Sequence, residues 1–374
     1  MKRKLSYGIM LGLVLLMLLL NVIARLFHPA ADWYIANVFP SISGFWCKVS
    51  GLFPFSVGEW MIVLGIVLIL AGIMSIPIIL IFGKDRRKQL AHVFLQCYGW
   101  ILTWLFCIMT TRFFILYQGT QLSQTLPDTD FTNEEVLQVC RRLVEEANQE
   151  GALVARDEEG YFKLTDALMP EAKACMGKLS ESYPQFCGSY PDAKPIYHAY
   201  FFSQQNLLGI YYPHSMEANY NPVVYEVNLP VTICHEYTHL KGNIFEDEAG
   251  YYAFLACMMS DSHDFRYSGY ISALEWLQPD FGEDDDAWIA YEEIMAEMTP
   301  QVSQDMYTFV PESYWVEHRE SDEVIPTAIV ADTADMVMDA SLKVNGIVEG
   351  VHSYHGMTAL LLHHYLNETN AALS

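Results

Sequence analysis

The chain has 374 residues, of which 52% are apolar, and its formal net charge is −24. Residues 1–117 carry ten basic and three acidic residues, whereas residues 118–374 carry 11 basic and 42 acidic ones. This excess of acid argues against nucleic acid as a partner and against docking on anionic lipid. The shift in composition predicts an apolar N-terminal part, 1–117, and an acidic soluble domain, 118–374.

Three apolar runs are long enough to cross a bilayer. They cover 7–27, 59–82 and 91–117, and each reaches the ~20 residues that span the hydrocarbon core. The first run lacks a small-residue cleavage site, which favours an uncleaved anchor over a signal peptide. Buried core helices are the alternative, but the length and the scarcity of charge favour three transmembrane helices in contact with lipid.

The basic loops predict the orientation. Lys2, Arg3 and Lys4 precede the first run, and a basic stretch at 84–88 follows the second, so both lie on the same side of the membrane. The positive-inside rule makes that side cytoplasmic. The sequence therefore predicts a multi-pass protein of the cell membrane with a cytoplasmic N-terminus. An aromatic loop at 28–58 and everything after residue 117 would then be extracytoplasmic.

The soluble part reads as mainly helical with a few strands. Thr132 and Glu135 form a capping box for a helix to about 149, and 151–164 favours a loop or short hairpin. Further helices are predicted at 169–182, 265–277, 287–298, 328–342 and 352–366. Strands are predicted at 197–202 and 208–212, with 223–227 as another candidate. The acidic run 283–286 lacks EF-hand spacing, so a solvated loop is expected there.

The eight cysteines show no disulfide pattern, and five of them fall after residue 117. An odd number leaves at least one free thiol in the soluble part. Cys234 directly precedes the motif described next and is interpreted as a small core residue.

The most informative stretch is 230–257, which contains His235-Glu236-Tyr237-Thr238-His239. Residues four apart share a helix face, so the two imidazoles can converge on one metal ion while Glu236 addresses a water. Pro230 suits a first helical turn and Gly242 suits a stop. The alternative is an amphipathic helix with two partly buried histidines.

A zinc site needs a third protein ligand. Glu246, Asp247 and Glu248 open the next apolar helical run, and acids in a first turn also favour the helix dipole. Glu248 is the predicted ligand because it lies where the helix begins to be buried, and Glu246 is the alternative.

The stretch from about 211 to 257 resembles an uncharacterised bacterial family of membrane-anchored, zincin-like proteins, domain of unknown function 3810. The matching pieces are Tyr212-Pro213, Glu217-Ala218-Asn219, Asn221, the motif Pro230-x-Thr232-x-x-His235-Glu236-x-x-His239-x-x-Gly242, and Glu246 to Ala249. The chain departs from the family at Gly250, where an Asn is usual. Glu248-Ala249 also resembles the third-ligand helix of gluzincin-like peptidases.

The resemblance implies a metallopeptidase and no particular substrate. The expected fold is three transmembrane helices followed by a mainly α (α+β) zincin-like domain with a small sheet beside the H-E-x-x-H helix. An extended peptide could pair with an edge strand of that sheet. Glu217, Asn219 and Asn221 match the family, but the sequence indicates no chemical role for them. The structural alternative is that they belong to a loop that caps the catalytic helix.

The functional prediction is a membrane-bound, zinc-dependent peptidase that acts on a peptide or protein. His235, His239 and Glu248 would hold Zn²⁺, and Glu236 would be the general base. Tyr354 is the preferred oxyanion donor, and the other candidates are His352, His355, Tyr211 and His214. His363 and His364 are not expected to bind metal because adjacent side chains point apart. The alternative function is a non-catalytic membrane protein that binds metal or a partner protein on the same scaffold.

Overall fold

The structure is a computed structural model that describes residues 2–127, 129–345 and 356–373. Two compact units are distinguished by their internal contacts. The N-terminal unit comprises Met1–Gly119 together with Tyr212–Glu217, and the C-terminal unit comprises Thr120–Tyr211 and Ala218–Ser374. One short segment from the middle of the chain therefore belongs to the N-terminal unit.

The N-terminal unit is helical. Its α-helices are α1 (Lys2–Leu26), α2 (His28–Asn37), α3 (Phe39–Ser50), α4 (Val57–Ile81) and α5 (Lys84–Met109), followed by a π-helical turn (Thr110–Phe114) and a 3-10 turn (Leu116–Gln118). The region 28–58, expected to be an aromatic loop, contains the two helices α2 and α3. Proline in the first turn of each, where the missing N–H costs nothing, suits a helix start.

Within the described residues, three segments are long and apolar enough to cross a membrane, in agreement with the three predicted spans. They are Lys4–Leu26, Val57–Ile81 and Lys84–Thr125. Helix α4 exposes large apolar side chains along its length, among them Leu64, Ile69 and Ile73. Such exposure is unfavourable in water and favourable in lipid, so these surfaces suit a bilayer.

Glu217 has a structural role at the start of α4. Its carboxylate accepts hydrogen bonds from the backbone N–H groups of Val57 (3.2 Å) and Gly58 (2.6 Å). These are among the N–H groups that have no partner inside the helix, and a negative charge there also favours the helix dipole. Glu217 therefore caps a membrane helix, and the expectation that its loop caps the catalytic helix is wrong for this residue.

The rest of the segment Tyr212–Glu217 is held by the same unit. The Arg112 guanidinium donates to the carbonyl of His214 (3.1 Å), and His214 Nε2 lies 3.0 Å from the Gly58 carbonyl oxygen. The Arg112 guanidinium also lies over the Trp46 ring, 4.4 Å from its centroid. The segment is thus fastened to the ends of the helices that are long enough to span the membrane.

The C-terminal unit contains most of the remaining elements. Its helices are α6 (Asn133–Gly151), α7 (Leu168–Ser182), α8 (Ala199–Ser203), α9 (Leu229–Leu240), α10 (Glu246–Met258), α11 (His263–Trp276), α12 (Asp285–Met295), α13 (Pro300–Asp305), α14 (Glu312–Asp322), α15 (Thr327–Val344) and α16 (Gly356–Leu373). Its strands are β1 (Ala155–Arg156), β2 (Phe162–Lys163) and β3 (Lys194–Pro195), and it shares β4 (Gly209–Tyr212) and β5 (Glu217–Tyr220) with the segment described above.

The described part of the chain contains two small sheets. β1 and β2 form an antiparallel hairpin, one of the two structures expected at 151–164. β3, β5 and β4 form a three-stranded sheet in that spatial order, with β3 parallel to β5 in the register Lys194↔Asn219. The predicted strand at 208–212 is confirmed as β4, an edge strand. The strand predicted at 197–202 is wrong because that segment contains α8, and 223–227 forms no strand.

Helix α10 is the centre of the C-terminal unit. Its residues from Glu248 to Cys257 are all buried, and it packs against α9, α11, α16 and α7. A helix that is apolar on every side is stable only when neighbours surround it. The position of α9 is therefore fixed by a packed core.

The predicted capping signals are observed. Thr132 and Glu135 form the reciprocal capping box that starts α6. Asp284 caps α12 through the backbone N–H of Ala287, and Asp285 and Asp286 lie in the first turn of that helix, so the loop expected at 283–286 covers only its first two residues. Helices α13 and α14 were not predicted, and the last helix, expected from 352, is described from Gly356 onward.

Candidate metal centre

The two motif histidines share one face of α9. His235 and His239 are one turn apart, and their ring centroids are separated by 4.7 Å. Both rings turn their Nε2 atoms toward the same point, with 3.1 Å between the two nitrogens. The helix begins with Leu229 and Pro230 and ends at Leu240, as the sequence predicts.

Glu246 is the third member of this cluster. Its Oε2 lies 3.0 Å from His235 Nε2 and 3.7 Å from His239 Nε2. Gly242 makes the approach possible: its φ of 97° is in the region that side chains disfavour, and it reverses the chain directly after α9. The first residue of α10 is thereby returned to the histidine face.

The donor atoms fit a tetrahedral zinc ion. Ligands at about 2.0–2.1 Å from zinc in a tetrahedron are about 3.3 Å apart. The three observed separations run from 3.0 to 3.7 Å. Two imidazole nitrogens and one carboxylate oxygen leave the fourth position for water or substrate, which is typical of a catalytic rather than a structural site.

A hydrogen bond outside the cluster orients one of the rings. His239 Nδ1 lies 2.7 Å from the backbone carbonyl oxygen of Asn243, to which it can only donate. Nδ1 therefore carries a proton, and in the neutral ring Nε2 presents its lone pair to the cluster. Such a bond is the usual support of a metal-binding histidine.

The electrostatics of the cluster favour a positive charge at the point of convergence. Burial lowers the pKa of His239, but the Glu246 carboxylate outweighs burial and raises the pKa to about 9. Burial raises the pKa of Glu246, but the histidines outweigh it and hold the pKa well below its usual range. Burial also lowers the pKa of His235, which favours a neutral ring.

Glu236 is placed beside the cluster rather than in it. Its side chain is buried, and its Oε2 has no hydrogen-bond partner among the described residues. Burial raises the pKa of Glu236 to about 8. By contrast, the side chains of His235 and Glu246 are 17% and 24% exposed, so a small molecule can reach the cluster from solvent.

Strand β4 lies against Glu236. A Cβ added at Gly209 would lie 2.6 Å from Glu236 Oε1 and 2.7 Å from Thr232 Cγ2, so only a glycine fits without displacement. The Tyr211 ring on the same strand lies 6.0 Å from the His239 ring. The small sheet thus runs beside the H-E-x-x-H helix, and β4 is the strand nearest the motif.

Glu248, the predicted third ligand, does not join the cluster. Its carboxylate instead accepts the backbone N–H of Leu122 at 2.5 Å, and burial raises its pKa to about 8. Among the described residues, the side chains that come close enough together to hold a metal ion are those of His235, His239 and Glu246. The prediction that Glu248 joins the two histidines is therefore wrong, and the alternative residue, Glu246, lies beside them instead.

The oxyanion candidates are distributed differently. Tyr354, His352 and His355 lie outside the described residues. His214 is engaged with Gly58 in the N-terminal unit, whereas Tyr211 lies beside His239. His363 and His364 contact aromatic rings, those of Phe131 and Tyr251 among them, and form no metal cluster in the part of the chain that is described.

Comparison with known proteins identifies the family. A family model described as a protein of unknown function (DUF3810) matches residues 34–362. The chain belongs to this family. No curated protein and no solved structure matches it. The family carries no assigned activity.

Gly250 is the position at which this family member departs from the Asn expected there. A Cβ at Gly250 would lie 2.9 Å from the sulfur of Met357 on α16. A larger residue would require α16 to shift. The glycine therefore serves close packing of α10 against α16 and offers no amide to the metal centre.

Proposed function

We propose that this protein is a membrane-bound, zinc-dependent metallopeptidase of zincin-like architecture. The observation that carries the proposal is the convergence of His235 Nε2, His239 Nε2 and Glu246 Oε2 to within 3.7 Å of one another. A buried carboxylate, Glu236, directly follows the first of these residues in the chain. Ligands alone would suffice for a binding module, whereas the unpartnered carboxylate oxygen supports catalysis.

Each residue has a definite part in hydrolysis. His235, His239 and Glu246 would hold Zn²⁺, which when bound supplies Lewis-acid activation of a water and of a carbonyl. Glu236 accepts the proton of the attacking water at its unpartnered Oε2 and passes it to the leaving amine. Tyr211 is the described candidate that supports the oxyanion, because its ring lies beside His239.

The substrate is a peptide in extended conformation. β4 is at an edge of its sheet and passes directly over Glu236 at Gly209. Edge strands bind extended peptides through main-chain hydrogen bonds. A peptide paired with β4 would carry its carbonyl groups past the proton acceptor.

The site faces the extracytoplasmic side in this proposal. The basic residues in the first turns of α1 and of α5 would lie on one side of three membrane crossings, and the positive-inside rule makes that side cytoplasmic. An odd number of crossings then places the C-terminal unit on the opposite side.

The metal assignment is tested with two neighbouring glutamates. We expect full-length protein purified in detergent to retain about one zinc per chain. Glu246→Gln and His239→Ala should each lower zinc affinity by about 10-fold or more, because each removes a ligand. Glu248→Gln is the matched control and should keep its zinc. Metal analysis after dialysis against a weak chelator measures the difference, and loss of zinc from Glu248→Gln alone would reject the assignment of Glu246.

Catalysis is tested separately with Glu236→Gln. This variant should keep zinc and lose hydrolysis of a peptide library by about 100-fold or more, since proton transfer is removed. Zinc retention with no hydrolysis by the unaltered protein would instead support the non-catalytic alternative, a membrane protein that binds metal or a partner on the same scaffold.

A further inference from the structure

A cavity of about 270 Å³ opens next to the N-terminal end of β4. Its walls include Leu207 and Leu208 from the approach to β4, Val224, and three aromatic residues, Tyr307, Phe309 and Trp315. Leu208 directly precedes Gly209, the residue that touches Glu236. The cavity therefore starts about one residue, or roughly 3.8 Å along the chain, from the residue over the proposed base.

The chemistry of the walls is apolar with a few polar atoms. None of the residues that line the cavity carries a charge, while Ser203 and Asn206 contribute polar groups. Tyr307 is 63% exposed and Phe309 is 41% exposed, so aromatic surface faces solvent at the opening. Covering this water-exposed apolar surface with an apolar group is favourable, whereas placing an unpaired charge there would be unfavourable.

The backbone of the cavity wall is strained at Tyr307. Asn206 and Tyr307 have φ values of 54° and 55°, in the left-handed region. Asparagine adopts this conformation readily, whereas for Tyr307 it is unfavourable and persists only where the surroundings enforce it. Strain of this kind clusters at binding sites.

The strained wall is fastened to the helix that carries the histidines. The side-chain amide of Asn228, which precedes α9, donates to the Thr308 carbonyl at 2.6 Å. The Tyr225 N–H donates to the Phe309 carbonyl at 2.9 Å, and the Tyr307 N–H donates to Glu275 Oε1 at 2.5 Å. The position of the aromatic wall is thus fixed relative to α9.

From these observations we infer that the cavity is a specificity pocket that takes one large apolar side chain of the peptide substrate, one or two residues from the bond that is cleaved. The inference rests on the proposed peptidase function and names its substrate class. Successive side chains of an extended peptide alternate in direction at about 3.3–3.4 Å per residue, so a peptide on β4 brings one side chain to this opening. The volume is several times the ~30 Å³ of a water and below the ~300–1,000 Å³ of sites for drug-sized ligands.

The test measures binding in full-length protein in detergent with zinc added. The Glu236→Gln background prevents turnover, and the probes are fluorescent, capped alanine decapeptides with one central Phe, Ala or Asp. We expect the Phe peptide to bind at least about 10-fold more tightly than the Ala peptide, and the Asp peptide to be the weakest. Equal binding of the Phe and Ala peptides, or no binding of either, would overturn the inference.

Variants of the wall make the test specific. Tyr307→Gly removes an aromatic wall and relieves the positive φ, so the fold is retained, and Phe309→Ala removes a second wall. Each should reduce the preference for Phe over Ala by about 3-fold or more. Tyr197→Ala is the matched control, an exposed tyrosine that does not line the cavity, and should leave the preference unchanged. An unchanged preference in both wall variants would also overturn the inference.

Failure of the pocket and failure of the proposed peptidase function give different results. Hydrolysis by the unaltered protein without a preference for apolar residues refutes the pocket alone. A preference for the Phe peptide that depends on Tyr307 and Phe309, combined with no hydrolysis, supports the pocket and refutes the peptidase.

Discussion

At the scale of single residues, the choice between Glu246 and Glu248 is decided by helix geometry. Two residues on a helix are separated by about 200° of rotation, so the two carboxylates point to opposite sides of α10. The glycine turn at 242 brings the first residue of α10 back to the histidines, and Glu246 is that residue. In the sequence, Glu248 lies next to the apolar run and was therefore the predicted ligand. The short loop between α9 and α10 is the better signal, because it returns the first residue of α10 to the histidines.

Glu275 is a second residue whose environment has a measurable effect. Burial raises its pKa to about 7, although its hydrogen bond from Tyr307 partly offsets this. The folded protein therefore holds the proton more tightly than the unfolded chain, whose glutamates titrate near pH ~4.3. The free energy of unfolding should fall as the pH rises from about 4.5 to 7, where ionisation in the folded state becomes unfavourable.

Glu275→Gln should remove this dependence while it keeps an oxygen to accept the Tyr307 N–H. At pH 8 we expect the variant to be more stable than its parent by about 1–3 kcal/mol, and at pH 4 the two should be equal. Thermal unfolding of the full-length protein in detergent across this range measures the difference. A stability difference that does not vary with pH would contradict the explanation.

At the scale of elements, the close packing of β4 against α9 depends on one glycine, Gly209. Gly209→Ala would place a methyl group 2.6 Å from Glu236 Oε1, so the carboxylate has to move. Misplacement of a catalytic group by about 1 Å lowers rate by roughly 100-fold. We expect Gly209→Ala to retain zinc, because the ligands are untouched, and to lose peptide hydrolysis by about 10- to 100-fold.

Gly177→Ala on α7 is the matched control for this experiment. Nothing lies within 4 Å of a Cβ added there, and alanine favours a helix more than glycine does. Its kcat and zinc content should equal those of the parent. A fall in activity of the same size in both variants would show that β4 has no special relation to Glu236.

The elements differ in how well sequence predicts them. Helices with a capping box or a long apolar run, such as α6 and the three spans, were predicted because their signals are local. The strand was predicted at 197–202 because aromatic residues favour strands. The prediction is wrong, since the segment contains the short helix α8, which buries the side chains of Tyr200 and Phe202. Helices α13 and α14 are short and carry weak periodicity, so packing determines them more than propensity does.

At the scale of the whole molecule, the proposed orientation makes a prediction about access. Cys187 is exposed in the C-terminal unit, whereas Cys140, Cys175, Cys234 and Cys257 in the same unit are buried. In intact cells or spheroplasts that express the full-length protein, a membrane-impermeant maleimide should label Cys187 without permeabilisation. Cys187→Ser should lose this labelling, and labelling that requires permeabilisation would place the unit in the cytoplasm.

The sequence predicts the motif but not how the units share the chain. His235, Glu236 and His239 were predicted as neighbours because one helix turn joins them. The membership of Tyr212–Glu217 in the N-terminal unit depends on contacts with residues that are between about 100 and 160 positions away, for example those of Arg112 and Gly58. Local patterns do not encode such pairings.

This shared segment has a practical consequence for how the protein is handled. β4 passes Glu236 at Gly209 and then enters the stretch whose carbonyls and carboxylate are bound by Arg112, Val57 and Gly58. Removal of residues 1–117 would leave that stretch without these partners. A fragment without the apolar helices therefore lacks the hydrogen-bond partners of a segment that directly continues a strand of the candidate site.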